Sequence, residues 1–248
     1  MRKKKIMFRA FKTDRVYFAA VFAVLVLLCA ALMLFRTGKY GNAAETFAIP
    51  LSGKVIIIDP GHGGMDSGAV ANGAVEKEIN LKISQVLQKY IEEGGGCAIL
   101  TRTEDTDTAN PDRGNGISRK TSDLKERKQD IADYKADMFV SVHMNKFQQP
   151  QYKGAQVFYT SESEESKRLG ETLQQALKDV LNDGNTRLAK PSGDKIFVLK
   201  NNTVPSALVE CGFLSNPQEA EQLMNDDYRR KIAWGIYVGI ARFFATGK

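Results

Sequence analysis

Apolar and polar positions alternate in three different ways along the 248 residues of this chain. The first pattern is unbroken: Val16 to Phe35 is 20 residues without a charge or a proline. The second is a set of short β-branched apolar runs. Val55-Ile56-Ile57-Ile58 predicts a strand over 54–59, and further strands are predicted at Cys97–Thr101, Met138–Val142, Ala155–Tyr159, Ile196–Leu199 and Ala207–Glu210. The third is helical spacing. Ile79, Ile83, Val86, Leu87, Tyr90 and Ile91 fall on one face of a helix over 76–93, which Gly94-Gly95-Gly96 stops. A second helix is predicted from Ser122 as N-cap, with Leu124, Ile131 and Tyr134 on one side. A third spans 162–181 through Leu169, Leu173, Leu177, Val180 and Leu181. Two more close the chain, the last carrying Ile232, Trp234, Ile236, Val238 and Ile240. Strands alternating with helices predict an α/β fold: a single domain with a mostly parallel twisted sheet flanked by helices on both faces.

The unbroken run changes the picture of where that domain works. Twenty helical residues rise roughly 30 Å, the thickness of a bilayer's hydrocarbon core. Seven basic residues precede the run, and Arg36 and Lys39 follow it. The positive-inside rule places the N-terminus in the cytoplasm and the remainder outside. The expected organisation is a basic cytoplasmic tail at 1–15, a transmembrane signal anchor at 16–35, a linker at 36–52 and a catalytic domain at 53–248. Secretion after cleavage near Gly41-Asn42-Ala43-Ala44 is the alternative; in either case the domain is exported.

Charge sharpens this further. The chain's net charge is +6. Residues 1–36 hold eight Lys or Arg and one acid, so the excess sits entirely in the tail. The remainder has 27 basic and 28 acidic residues, so the charge of the folded domain does not point to a nucleic-acid partner, which needs a basic face, and none is expected. Three cysteines make no disulfide framework. Cys29 lies in the apolar run after Leu28 and does not read as a lipid attachment site. Cys97 and Cys211 fall in different predicted strands and are expected to be reduced and buried. Residues 103–122 are polar without periodicity, long for a structureless connection. They read as a substrate-binding flap or a disordered insertion.

The chain has two histidines, and each follows a predicted strand. In α/β proteins, ligands and chemistry collect at the C-terminal ends of strands. Asp59-Pro60-Gly61-His62-Gly63-Gly64 comes straight off the first strand, and its glycines permit tight turns that expose the imidazole. His143 ends the third in Ser141-Val142-His143-Met144-Asn145. Glu76 opens the first helix of the domain, with Glu78 as a nearby competitor. Two histidines and one carboxylate with an open fourth position form a ligand set for catalytic zinc. Glu210, in Leu208-Val209-Glu210-Cys211-Gly212, ends an apolar strand, where a carboxylate is costly unless paired or functional. It reads either as a general base and proton donor or as a salt-bridge partner of Arg102 or Arg127.

These segments together resemble a known family. Asp59-Pro60-Gly61-His62-Gly63-Gly64 with Asp66 and Gly68-Ala69, and then Glu76-Lys77-Glu78-Ile79-Asn80-Leu81, look like the zinc-dependent N-acetylmuramoyl-L-alanine amidases of the amidase-3 type. Leu100-Thr101-Arg102, Leu124-Lys125-Glu126-Arg127, Ser141-Val142-His143-Met144-Asn145 and Leu208 to Asn216 match in the same order. The resemblance implies Zn²⁺ held by His62, Glu76 and His143, with Glu210 as the catalytic acid. It implies a peptidoglycan substrate, cut at the amide between N-acetylmuramic acid and L-alanine. Met144 stands where Ala is usual in the family, and Cys211 where Leu or Val is common; neither removes a ligand. The N-terminal anchor and the stretch Gly116-Ile117-Ser118-Arg119-Lys120 further resemble the germination-specific branch of endospore-forming bacteria. That implies action on spore cortex on the way to muramic δ-lactam, from the outer face of a membrane, in the forespore's intermembrane space. A vegetative autolysin and a zinc peptidoglycan carboxypeptidase are the alternatives. No protein partner follows from the sequence.

Overall fold

A computed structural model describes residues 17–28, 51–112 and 114–247. The chain divides into two compact units, Met1–Ala48 and Ile49–Lys248. In the first, residues 17–28 form a helix, α1, exposed along its length. This is the described part of the apolar run. The rest of that run, the basic tail and most of the linker lie outside the described residues. No described helix is long and apolar enough to cross a membrane.

The second unit is built on a six-stranded sheet. Its strands are β1 (Val55–Pro60), β4 (Cys97–Leu100), β5 (Met138–Asn145), β6 (Gln156–Tyr159), β7 (Lys190–Pro191) and β8 (Ser206–Phe213), in the spatial order β4-β1-β5-β8-β6-β7. Every pairing is parallel except β6 with β8. A separate two-stranded hairpin, β2 (Val70–Ala71) and β3 (Ala74–Val75), leads into α2 (Glu76–Glu93).

Because strand side chains alternate between faces, the apolar runs serve two cores at once. Ile56, Ile58, Val140, Val142 and Val209 belong to the larger core. It is covered by α2, α4 (Glu164–Leu181), α5 (Pro217–Met224) and α6 (Asp226–Ala245). Ile57, Phe139 and Leu208 point the other way, onto Ile131 of α3 (Arg119–Asp133) and onto Val198 and Leu199. Double burial of this kind explains why the central strands read as continuous apolar runs. On the larger face α4 and α6 pack closely because Gly239 offers no side chain. A Cβ there would lie 2.8 Å from the Leu173 side chain and 2.9 Å from its Cα.

The structure corrects several expectations. α3 begins earlier than Ser122: Ser118 is the cap, its Oγ accepting the Thr121 N–H at 3.0 Å. Ser122 instead accepts the Asn110 N–H. The first turn was hidden because Arg119, Lys120 and Thr121 carry no apolar periodicity. Ile196–Leu199 is not a strand. Gly193–Lys195 and Phe197–Leu199 are two 3-10 turns that bury Val198 and Leu199 against the smaller core. A four-residue apolar run does not distinguish these outcomes. β7 went unanticipated. β5 and β8 run three residues past their predicted ends, so His143 and Glu210 lie inside strands. Both remaining cysteines are free, as expected, but Cys97 is exposed because it starts the edge strand β4, whereas Cys211 is buried.

Candidate metal centre

Two residues beyond β1 the backbone turns sharply. His62 has φ +62°, a left-handed conformation unusual outside glycine. Such strain in a non-glycine residue persists only where its surroundings hold it. Here two arginines do so. Arg127 donates to the Pro60 and His62 carbonyls at 2.8 and 2.7 Å. Arg102 donates to the Pro60 and Gly61 carbonyls at 2.9 and 3.1 Å. Arg127 is itself fixed by Asp59 at 2.7 Å and Asp123 at 2.9 Å. Ser141 and Thr101 complete Asp59 at 2.6 and 2.8 Å. The arginines therefore organise the turn and do not pair with Glu210.

The stretch after Arg102 fastens the same turn. Asp105 accepts the Gly64 N–H at 2.9 Å and pairs with Lys77 at 2.6 Å, and Thr108 bonds Asp123. The first half of the polar segment 103–122 is a clasp, and its last part is the start of α3. That last part also brings Lys120 to the cavity that His62 and His143 line.

Glu76 is the first residue of α2, aimed back across the loop. Its Oε1 meets His62 Nε2 at 3.2 Å and His143 Nδ1 at 3.0 Å, and accepts the Met144 N–H at 3.0 Å. Its Oε2 accepts the Ala69 N–H at 2.7 Å. The structure thus brings His62, Glu76 and His143 together, with one potential ligand atom from each lying within 4.8 Å of the others. Glu78, the competitor, is exposed and elsewhere. The Glu76 side chain is 4% exposed, whereas His62 and His143 retain 20% and 18%, so the imidazoles form the accessible side of the cluster. Gly61 makes this approach possible: a Cβ there would fall 2.2 Å from His143 Nε2.

The electrostatics follow from this geometry. Burial works against ionisation of Glu76, but hydrogen bonds with His143 and His62 hold its carboxyl well below the usual carboxylate range. Burial likewise opposes the charged form of His62, and Glu76 and then Asp66 outweigh it and raise its pKa. Asp66 faces His62 Nδ1 at 3.1 Å. A carboxylate on the second ring nitrogen is a common way to orient a metal-binding histidine. Two imidazoles and a carboxylate suit Zn²⁺, and the residues present fit that ion.

Glu210 sits across the strand pair from His143, in register with it. The register shifts immediately afterwards, between His143 and Asn145. Such irregularities re-aim side chains beside active sites. Glu210 Oε2 is buried with no hydrogen-bond partner. Burial pushes its carboxyl up to about 7, with the charge of Glu76 adding and those of His143 and His62 opposing. His62, His143 and Glu210 line one cavity of about 260 Å³. Arg102, Arg127 and Asp59 were visible in the sequence as motif positions, but their bracing role was not, because it depends on contacts between residues up to 68 positions apart.

Comparison with known proteins agrees with this architecture. Residues 56–242 match the amidase-3 model of N-acetylmuramoyl-L-alanine amidases. The germination-specific N-acetylmuramoyl-L-alanine amidase of Bacillus subtilis is 39% identical over 215 residues, 86% of this chain and 90% of that protein. The CwlD amidase of Clostridioides difficile, solved in complex with the GerS lipoprotein, superposes with a TM-score of 0.73. It is 44% identical and covers 78% of this chain and 99% of that one. The catalytic domain of CwlV from Paenibacillus polymyxa gives a TM-score of 0.66 at 27% identity, over 77% of this chain and 98% of that one. With a family match spanning nearly the whole second unit, this chain belongs to the N-acetylmuramoyl-L-alanine amidases of the amidase-3 type, hydrolases of peptidoglycan.

Proposed function

We propose that this amidase is a zinc enzyme that strips stem peptides from spore cortex peptidoglycan, with His62, Glu76 and His143 as zinc ligands and Glu210 as the proton carrier. The observation that carries the site assignment is Glu210 Oε2: buried, without a partner, in the cavity it shares with both histidines. A buried polar atom without a partner is rare in a native structure and calls for a functional account. Zinc at the triad would supply Lewis acidity, polarising the scissile carbonyl and making water a competent nucleophile near neutral pH. Glu210 takes a proton from the attacking water. It returns that proton to the alanine nitrogen as the C–N bond breaks, so one carboxyl serves both halves of the reaction. A pKa near 7 suits a group that must accept and then donate. Glu76 stays ionised throughout. Arg127 and Arg102 keep the His62 turn in place.

The cortex role rests on the likeness to the germination-specific relative. The membrane anchor at 16–35 rests on the uncharged run and the basic tail before it, and places the domain outside the cytoplasm. The division into tail 1–15, linker 36–52 and catalytic domain 53–248 goes with it. A lipoprotein is the kind of partner found with the Clostridioides difficile amidase, and it is the class to seek here.

The test is chromatography with mass spectrometry of cortex peptidoglycan digested by the zinc-loaded protein. Release of intact stem peptides beginning with L-alanine is expected; release of single D-amino acids would make it a carboxypeptidase. Zinc analysis of His143→Ala should show loss of the ion. A full complement would remove His143 from the ligand set. Fractionation of expressing cells should find the chain in membranes, and a shortened soluble form would indicate cleavage.

A further inference from the structure

The cavity around Glu210 has a second wall that the reaction does not use. It is formed by the start of α3 and the two 3-10 turns, and it contributes Lys120, Leu124, Lys195, Ile196 and Phe197. We propose that the cationic edge of this wall, Lys195 supported by Lys120, receives a free carboxylate of the stem peptide beside the scissile amide, and so selects acidic stems over amidated ones. This rests on the amidase reading of the site and assigns a substrate subsite within it.

Charge carries the argument. On the cavity floor Asp59 and Asp123 are both engaged by Arg127. Asp66 faces His62 and Lys120, at 3.1 and 3.2 Å. Lys195 differs from all of these. It is exposed and makes no hydrogen bond or ion pair with any described residue. Its neighbour Asp194 is taken by Lys200 at 2.8 Å. Lys128 adds a further positive charge on this side, 5.3 Å from the centroid of the Phe197 ring, while Asp194 and Glu162 act on Lys200.

Only one half of the substrate complements such a wall. The glycan is neutral once its lactyl carboxyl is amidated. The stem peptide keeps free carboxylates, the first on the residue after alanine when glutamate is linked through its side chain. Two residues of extended chain span about 7 Å, a short reach from the scissile bond to the rim of a cavity this size. Leu124, Ile196 and Phe197 line the same cavity, and their apolar surface suits an alanine methyl. Phe197 is 38% exposed, so it is available for that contact.

The experiment uses the full zinc-loaded chain and two synthetic substrates, N-acetylmuramoyl-L-Ala-D-Glu and its D-isoglutamine counterpart. Wild type should favour the free acid by about fivefold in kcat/KM, the size of a partly exposed ion pair. The preference should lie in KM, because the contact is equal in ground and transition states. Lys195→Ala should abolish the preference with kcat and zinc content unchanged, and Lys195→Glu should reverse it. Calorimetric titration of the free dipeptides should rank wild type and variants in the same order. Equal use of both substrates by wild type, or a preference surviving in Lys195→Ala, overturns this subsite alone. Failure to cleave either substrate overturns the amidase reading and this inference with it.

Discussion

Two buried polar clusters lie back to back beneath one turn of chain, and they differ in how completely they are satisfied. Asp59, Arg127 and Asp123 close on themselves. Both Asp59 oxygens have donors in Arg127, Thr101 and Ser141, and Asp123 is held by Arg127 and Thr108. The other cluster is left open. His62, His143 and the Met144 N–H all converge on one oxygen of Glu76, and Glu210 Oε2 has no partner. Folding drives buried polar groups towards full pairing. A closed network braces; an open one keeps donor and acceptor capacity for something that is not part of the chain.

The sharpest way to break this comparison is to alter the open cluster without disturbing the closed one. Glu210→Gln keeps the shape and removes the proton carrier. Turnover should fall by about 10²–10⁴-fold, with zinc content and unfolding midpoint at or above those of wild type. Near-normal release of stem peptide would deny Glu210 its role. Arg127→Ala attacks the closed cluster. It leaves two buried carboxylates without their cation, a change that costs about 3–5 kcal/mol, read by urea denaturation. Zinc affinity should suffer less, because Arg127 touches only the backbone carbonyl of His62. A zinc loss exceeding the stability loss would mean that the two clusters act as one.

How much of this was legible beforehand depended on whether the signal was local. The helix over 76–93 was readable to the residue because six apolar positions repeat on one face. The two histidines were readable because they are rare and lie near the C-terminal ends of strands, His62 two residues beyond β1 and His143 two residues before the end of β5. The same local logic failed at Ser118, where the first helical turn is polar, and at Ile196–Leu199, where four apolar residues bury themselves without joining the sheet. It also failed for Arg102 and Arg127, read as possible partners of Glu210. A charge's partner is settled by which chain segments pack together, and sequence spacing does not encode that. The lack of any partner for Glu210 Oε2 is likewise a property of the assembled sheet.

A smaller perturbation separates position from chemistry at the open cluster. Gly61→Ala adds one methyl, and that methyl would sit 2.2 Å from His143 Nε2. The ring cannot move far while Glu76 holds its Nδ1 at 3.0 Å. Displacing a ligand in this way should weaken zinc binding by roughly 10–100-fold, comparable to losing an outer-shell support. Competition with a chromogenic chelator measures it. Unchanged affinity would show that the triad has slack that its close contacts do not suggest.

The mildest test concerns a carboxylate at the margin of the closed cluster. Asp130 lies on α3 one turn past Arg127, half-buried, and takes no part in the pairing of Asp59 and Asp123. Burial, with the charges of Asp133, Asp59 and Glu126, pushes its carboxyl up to about 6, against the opposing effect of Arg127. Its folded pKa therefore exceeds its unfolded one, and the fold binds this proton more tightly. The stabilising contribution is complete below about pH 4 and is lost as pH rises through about 6. Asp130→Asn removes the ionisation. The variant should match wild type at pH 4 and exceed it at pH 8. Solvent screening of a half-exposed group limits the gain to about 1 kcal/mol or less. Urea midpoints at the two pH values decide the matter. An Asn variant weaker than wild type at pH 8 would place Asp130 inside the closed network, with Arg127 serving three carboxylates instead of two.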